Sequence, residues 1–340
     1  MRPAHRNPLH LRKWKRRKVA ATEDACWLAA AASLAARGRP LSRPNPAVGA
    51  IIVKQGVVLG RGWTRPGGRP HAEAEALAQA GTAACGATLY VTLEPCAHAS
   101  ARGPACADLV VEAGLARVVA GCTDPDPRTA GSGLARIRAA GIAAELQASP
   151  AAEASLGGYL SLRRRGRPQV TLKLALSLDG CIAAASGESR WITGEAARAH
   201  CHAERAKAEV IIVGGGTLRA DAPRLDVRLP GLEDRSPERW VLTRGAAPDG
   251  WRALAAPEAI STMADVQYLF VEGGAGAAAS FLKAGLVDRL LLYRAPILIG
   301  GGLPGVGDIG LGSLAEAHGR WQLADRRQLG TDTLEIYEAS

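Results

Sequence analysis

Four side chains in the first third of the chain have the types and spacing to activate a water molecule: His71, Glu73, Cys96 and Cys106. Zinc takes nitrogen and sulfur ligands, and a catalytic zinc keeps three protein ligands and one open position. His71, Cys96 and Cys106 would supply the three, leaving Glu73 free to shuttle protons. Zinc lowers the pKa of a water in the open position toward neutrality. A lone histidine is more often a surface or core residue. Glu73 two positions on, then Pro95-Cys96 and Cys106, turn the reading toward a metal centre. Nine residues separate Cys96 from Cys106, so the compact CxxC form is absent. Cys26, Cys85, Cys122, Cys181 and Cys201 fit no ligand spacing and are assigned to packing.

These groups need elements to hold them. Residues 22–37 read as a helix capped by Thr22 and ended at Gly38, with Pro40 shortly after. A turn at 43–49 leads into a strand over 50–53, and Lys54-Gln55-Gly56 folds it back onto 57–60. Pro70 opens a helix over 71–80, with His71 and Glu73 in its first turn, where free N–H groups and positive potential collect. A strand over 89–93 is ended by Glu94-Pro95-Cys96, which should open the next helix and favour a thiolate there. A further strand at 117–121 precedes the loop Thr123-Asp124-Pro125-Asp126-Pro127. Strand, helix, strand implies parallel pairing, with the site beyond the carboxyl ends of the strands. Asn45, between two prolines, reads either as turn chemistry or as an amide that grips a base edge.

The chain has 340 residues, enough for two domains, and 47% of them are hydrophobic, enough for sizeable cores. No run approaches the roughly 18 apolar residues of a membrane span. The seven cysteines show no paired framework, which points to a reducing, cytoplasmic setting. Arg2, Arg6, Arg12, Lys13, Lys15, Arg16, Arg17 and Lys18 carry eight of the net +10, leaving the rest of the chain at +2. Residues 1–21 therefore read as a basic, disordered tail, without the apolar region of a secretory signal. A nearly balanced body does not call for a nucleic-acid partner.

In the second half, residues 169–176 alternate as a strand, with Lys173 on the face opposite Val170, Leu172, Leu174 and Leu176. A helix is expected over 194–208, with strands over 210–213, 239–243, 269–271, 286–295, 321–323 and 333–337. Two of these strands end in glycine clusters, Gly214-Gly215-Gly216-Thr217 and Gly273-Gly274-Ala275-Gly276. Backbone approaches closely at such turns and helix starts attract anions, although neither is the G-x-G-x-x-G fingerprint. The stretch 143–155 is Ala-rich and weakly patterned, 156–162 reads as helical, and Arg163-Arg164-Arg165-Gly166-Arg167-Pro168 reads as an exposed connector that marks the domain boundary. That basic run is either a solvated face or an aid to attracting a phosphorylated substrate.

Pro44-Asn45-Pro46-Ala47-Val48-Gly49, Pro70-His71-Ala72-Glu73, Val91-Thr92-Leu93-Glu94-Pro95-Cys96-Ala97-His98 and the Thr123 to Pro127 loop resemble the N-terminal half of the bifunctional riboflavin-biosynthesis deaminase/reductase family. H-x-E, then P-C and a later Cys, is the pattern of zinc deaminases at large. Lys173 to Gly180, Ser186-Gly187-Glu188-Ser189 with Trp191-Ile192-Thr193, Gly216-Thr217 through Asp221-Ala222-Pro223, and Val271-Glu272-Gly273-Gly274 resemble the reductase half. The resemblance runs from about residue 24 to the end. It implies an α/β chain with a cytidine-deaminase-like α/β/α sandwich at 22–147, a linker at 148–168, and a dihydrofolate-reductase-like α/β domain at 169–340.

The resemblance also implies the chemistry. The first domain would remove the exocyclic amine of 2,5-diamino-6-ribosylamino-4(3H)-pyrimidinone 5′-phosphate. Zinc would sit on His71, Cys96 and Cys106, with Glu73 as proton donor and acceptor, and Asn45 and His98 at the substrate. The second would use NADPH to open the ribose of the product to a ribityl chain, with hydride going to C1′. Ala175, Trp191, Thr217 and Asp221 would hold the cofactor, together with the turn of Gly274, Ala275, Gly276, Ala277, Ala278, Ala279 and Ser280. Ser189, Arg205, Leu225, Arg228 and Glu272 would face the substrate, with Arg205 and Arg228 as phosphate clamps, because guanidinium forks match phosphate oxygens. Lys173 and Glu272 would form a polarising pair at the sugar.

Two stretches depart from the family. The loop His98-Ala99-Ser100-Ala101-Arg102-Gly103-Pro104-Ala105-Cys106 is one residue longer than His-x-Gly-Arg-Thr-Pro-Pro-Cys, with the Gly-Arg order altered. The region between Arg228 and Asp265 is shorter. A tRNA or nucleobase deaminase with a fused second domain shares H-x-E and P-C and stays as the second reading. It requires strong, salt-dependent RNA binding by the folded body. A scaffold that has lost its chemistry is a third, against which the intact His71, Glu73, Cys96 and Cys106 count. The partners implied are the phosphorylated pyrimidine and NADPH, with no membrane; homo-oligomer formation stays open.

Overall fold

The computed structural model describes residues 8–98 and 100–340, with side chains from residue 22 onward. The chain divides into two compact units, Met1–Arg163 and Arg164–Ser340. In the first, α1 (Pro8–Ala35) precedes a hairpin of β1 (Gly49–Lys54) and β2 (Val57–Trp63). Gln55 and Gly56 turn the hairpin at positive φ, 52° and 76°, the hand that two-residue hairpin turns favour. There follow α2 (Ala72–Ala80), β3 (Thr88–Val91), α3 (Cys106–Glu112), β4 (Arg117–Ala120) and α4 (Ser132–Ala139). Then come β5 (Ala143–Leu146), α5 (Pro150–Ser155) and α6 (Gly157–Arg165), in which the division between the units falls.

The sheet runs β2-β1-β3-β4-β5. The hairpin is antiparallel to itself and to β3, while β3, β4 and β5 are parallel, as the strand–helix–strand order requires. Leu28 and Ala31 of α1 pack on Ile51, Val53, Tyr90 and Val119 on one face. Ala72 and Ala76 of α2, Val110 of α3 and Ile137 of α4 pack with Ile52, Leu89 and Val118 on the other. The helices lie at backbone contact with the sheet. A Cβ at Gly60 would fall 2.1 Å from the Ala76 carbonyl oxygen, and one at Gly62 2.1 Å from that of Ala72. These glycines of β2 seat the helix that follows His71.

Several sequence expectations change here. α1 begins at Pro8, not at Thr22. Leu, Arg, Lys and Ala favour helix, and proline suits a first helical position. The remainder of the expected tail, residues 1–7, lies outside the described residues. The weakly patterned 143–155 stretch holds β5 and α5; α6 covers the helix expected over 156–162, and the division between the units falls at the basic run where the boundary was expected. Leu156, Tyr159 and Leu160 are buried in the first unit's core, so those residues belong to that unit. The basic run is paired: Arg163 with Asp126, and Arg165 and Arg167 with Asp288.

The second unit runs β6 (Gln169–Leu176), β7 (Cys181–Ala183), α7 (Glu195–Arg205), β8 (Val210–Gly214), α8 (Gly215–Asp221), β9 (Glu238–Leu242) and β10 (Arg252–Leu254). It continues with β11 (Tyr268–Val271), α9 (Ala275–Lys283), β12 (Arg289–Arg294), β13 (Leu303–Pro304), β14 (Trp321–Leu329) and β15 (Asp332–Ala339). The large sheet has the order β10-β9-β8-β11-β6-β12-β15-β14. It is parallel from β10 to β12 and antiparallel through the terminal hairpin. β6 alternates as its sequence dictates, with Val170, Leu172, Leu174 and Leu176 buried against Phe281 of α9. The opposite face carries Cys201 of α7 with Ile211, Phe270 and Tyr293. β7, β10 and β13 are too short to show a period and were not expected.

Replacing Gly62 with alanine must push α2 off the sheet. Overpacking of this kind costs about 1–3 kcal/mol. The denaturant midpoint of Gly62→Ala should fall accordingly; an unchanged midpoint would mean that the helix does not rest on the strand as described.

Candidate active sites

In the first unit the three ligand candidates converge. His71 Nδ1 is 3.3 Å from Cys106 Sγ and 3.7 Å from Cys96 Sγ, and one donor atom from each residue lies within 4.8 Å of the others. A tetrahedral ion at about 2.3 Å from sulfur and about 2.0 Å from nitrogen puts such donors about 3.6 Å apart. The donor set is also chemically right. The two thiols share one negative charge: a hydrogen bond from Cys106 holds Cys96 down to about 4 against the pull of burial, while proximity to Cys96 and burial push Cys106 up. A divalent cation between them takes both as thiolates, because a coordinating thiol is deprotonated outright. The residues present therefore fit zinc.

Each ligand is placed by a different element. His71 is the residue before α2, with its carbonyl accepting from the Glu75 N–H at 3.2 Å. Cys106 is the first residue of α3. Cys96 does not open a helix as expected. It lies in the loop after β3 and is held from the far side by α3, whose Cys106 N–H donates to its Sγ at 3.3 Å and whose Ala107 N–H donates to its carbonyl at 3.1 Å. A helix start lowers a thiol pKa from that position as well as from within the helix.

Glu73, on the first turn of α2, is 3% exposed. Burial lifts its carboxyl to about 7, against the opposing pull of His71. A carboxyl balanced near neutrality is suited to accept and return a proton. Asn45 is engaged on the other side of the imidazole, with Nδ2 3.1 Å from Nε2 and donating to the Gly68 carbonyl at 2.9 Å. With Nδ1 turned to the thiols, Nε2 is the nitrogen left for this amide. His98 Nδ1 is 3.4 Å from Thr129 Oγ1. The long loop before Cys106 is laced to the turn before His71: Arg102 donates to the Gly67 carbonyl at 2.9 Å and Arg69 to that of Pro104 at 3.4 Å.

Sequence reasoning passed over Glu94. Its buried carboxylate accepts from the Gly131 and Leu134 N–H groups at 2.9 and 3.1 Å, capping α4. A Cβ on Gly133 would lie 1.9 Å from the Pro95 carbonyl oxygen, so α4 presses directly on the residue before Cys96. The Asp124 carboxylate accepts from Tyr159 Oη at 2.7 Å, which ties the loop after β4 to α6.

In the second unit Lys173 Nζ lies 3.3 Å from Glu272 Oε1, as the pairing expectation required. Burial raises the pKa of Glu272, but Lys173 and Arg205 override it and hold the carboxyl well below its usual range. Burial likewise opposes the charge on Lys173, and Glu272 keeps it protonated above the usual range. Arg205 is not an outward clamp. Its Nε and one terminal nitrogen both donate to Glu272, at 2.8 and 2.7 Å. Arg228 is exposed and pairs with Asp226 at 2.9 Å. Ser189 is half-buried in its loop, and Leu225, expected at the substrate, is buried in the core.

The two glycine turns stand side by side because β8 and β11 are neighbours. Gly274 N–H donates to Thr217 Oγ1 at 3.0 Å, and a Cβ on Gly274 would come within 3.2 Å of that oxygen. On Gly273 it would meet Ala277 Cβ at 2.7 Å. The Gly274 N–H is thus taken, but a Cβ on Gly276 would meet nothing within 4 Å, so the start of α9 leaves open backbone at Ala275 and Gly276 of the kind a diphosphate needs, and the residues present fit a dinucleotide. Gly274, Ala275 and Gly276 lie at the helix start, but the Ala277, Ala278 and Ala279 side chains are buried and Ser280 Oγ bonds the Gly276 carbonyl. Ala175 is half-buried on the same strand face as Lys173. Trp191 is 66% exposed, with the Arg198 guanidinium 4.8 Å from its ring centre. The Asp221 carbonyl accepts from Arg190 at 2.8 Å.

Comparison with known proteins bears on both units. Residues 21–122 match the cytidine and deoxycytidylate deaminase zinc-binding region, and residues 168–334 match the RibD C-terminal domain. The chain is 36% identical to the riboflavin biosynthesis protein RibD of Haemophilus influenzae, over 93% of this chain and 97% of that one. It is 37% identical to that of Escherichia coli, over 91% and 98%. Among solved structures, RibD of Acinetobacter baumannii matches with a TM-score of 0.81 at 34% identity, covering 94% of this chain and 99% of that one. A diaminohydroxyphosphoribosylaminopyrimidine deaminase/5-amino-6-(5-phosphoribosylamino)uracil reductase of Thermotoga maritima matches with a TM-score of 0.82 at 26% identity, covering 94% and 100%.

Metal analysis of purified variants checks the donor set. Cys106→Ala should lose most of its zinc, whereas Cys85→Ala, an exposed thiol outside the cluster, should keep about one ion per chain. Full zinc in Cys106→Ala would remove that residue from the set.

Proposed function

The chain belongs to the RibD family and is a zinc-dependent deaminase joined to a reductase of riboflavin biosynthesis; from that premise we propose which of its residues perform each reaction. The carrying observation is the convergence of His71, Cys96 and Cys106 beside the buried carboxyl of Glu73.

The first substrate is 2,5-diamino-6-ribosylamino-4(3H)-pyrimidinone 5′-phosphate. His71, Cys96 and Cys106 hold zinc, which when bound supplies a Lewis acid that makes water nucleophilic near neutral pH. Glu73 takes a proton from the attacking water and returns it to the departing amine, so the ring carbon exchanges nitrogen for oxygen and ammonia leaves. Asn45 and His98, held by Gly68 and Thr129, meet the pyrimidine.

The second unit reduces the deaminated product. NADPH, when bound, is the source of the hydride for C1′. The backbone N–H groups of Ala275 and Gly276 face its diphosphate, with Gly274, held by Thr217, and Asp221 and Trp191 around it and Ala175 beside Lys173. Among the described residues Lys173 has one hydrogen-bond partner, Glu272, so its remaining N–H groups are available to a sugar oxygen. Arg228 and Ser189 meet the phosphate. The enzyme works in the cytoplasm on this reading, which the seven free cysteines support; among the described residues no helix is long and apolar enough to cross a membrane.

Two separate assays test the division of labour. Glu73→Gln should keep its zinc and lose at least about 10²-fold in deamination, while reducing the deaminated substrate at the normal rate. Lys173→Ala should do the reverse. A Glu73→Gln protein that deaminates at full speed would take the proton shuttle away from this residue.

A further inference from the structure

Glu272 stands just past the end of β11, and the neighbouring elements aim their polar groups at it. β6 sends Lys173. α7 sends Arg205 and Cys201, the latter with Sγ 3.9 Å from Oε2. His202, also on α7, and Tyr293 of β12 lie farther out and feel the same charge. Cys201 is neutral, since burial and Glu272 push its thiol up to about 11. The third Arg205 nitrogen donates to the Asp226 carbonyl at 3.0 Å. All three guanidinium nitrogens are therefore committed, on a side chain that is only 10% exposed.

We infer that Arg205 is a positioning residue: its two-bond grip fixes the plane of the Glu272 carboxylate in the reductase site, and it does not receive the substrate phosphate. The inference rests on the reductase reading above. A guanidinium fork sets a carboxylate plane, which a single ammonium cannot do. It also solves a problem that Lys173 creates. Lys173 has to turn an N–H toward the sugar, which weakens its single 3.3 Å contact with Glu272. A buried carboxylate without a cation would take up a proton. Arg205 keeps Glu272 ionised while Lys173 is engaged elsewhere.

The test uses the full-length enzyme with Arg205→Lys, Arg205→Gln and Glu272→Gln, singly and as the Arg205→Lys/Glu272→Gln double variant. In the reductase assay on the deaminated substrate, Arg205→Lys should lower kcat about tenfold or more with little change in KM. Adding it to Glu272→Gln should cause no further loss. In Arg205→Gln the acid limb of the kcat profile should move up by about 1 pH unit or more. A readout without turnover is the melting temperature between pH 7 and pH 4. In the parent the Glu272 carboxyl is held well below its usual range, so it is ionised throughout that window and the stability of its paired charge is fully present there. In Arg205→Gln the buried carboxyl takes up a proton within the window, which relieves the unpaired charge, so the deficit relative to the parent should shrink as the pH falls. The inference is overturned by a rise in KM with unchanged kcat and pH profile that persists in the Glu272→Gln background, which would make Arg205 a phosphate ligand. It is equally overturned by a melting deficit that does not depend on pH, which would leave Arg205 a packing residue only. A parent enzyme that does not oxidise NADPH with this substrate would instead defeat the reductase assignment, and the melting comparison would still decide the pairing.

Discussion

Taking a carboxylate out of water is expensive unless a cation or a proton accompanies it, and both units of this chain are built around one that has been taken out. Glu73 and Glu272 are each lifted by burial, yet they end at opposite extremes. Among the described residues Glu73 has no full cation at hydrogen-bond distance, and burial lifts its carboxyl to about 7. Glu272 has an ammonium and a guanidinium, so it stays ionised. The first state suits a group that must give and take protons. The second suits a group that must present a steady negative charge beside Lys173.

Both carboxylates depend on close packing for their burial. In the first unit, glycine and alanine let helices touch the sheet backbone. Gly60 and Gly62 admit α2, Gly49 admits α1, and Gly133 admits α4 against Pro95. Each of these contacts lies within a few residues of a ligand or its support. The convergence of the three donor atoms to within 4.8 Å of one another follows from such packing, whereas larger side chains would hold the helices off. In the second unit Gly273 and Gly274 leave room for Ala277 of α9 and for the Thr217 hydroxyl.

Long-range polar contacts then do what local sequence cannot. Glu94 caps a helix that begins at Ser132, and the amides at the start of α3 hold Cys96. Arg102 and Arg69 lace the lengthened loop to the turn before His71. These attachments explain how nine residues between the thiols can stand where a tighter loop would serve. The Cys96 end of the geometry is set from the helix side, by the Cys106 and Ala107 N–H groups.

The sequence alone carried the two motif sets, because His-x-Glu, Pro-Cys and the later Cys reflect the chemistry that zinc demands and not the path of the chain. It carried the β6 alternation and the parallel β3–α3–β4 unit, since periodicity and element order are local properties. It did not carry the fate of Arg205, which read as a phosphate clamp because a guanidinium suits phosphate and carboxylate equally well. Nor did it carry the role of Glu94, the start of α1, or the packing of Leu156, Tyr159 and Leu160 into the first unit's core. Which of two matching anions a cation meets, and which core an Ala-rich segment joins, depend on residues far away in the chain. Only the folded arrangement brings Glu272 to within 2.8 Å of Arg205 and buries Leu156 and Tyr159. Pairing energies act through space, and a linear pattern holds no record of those distances.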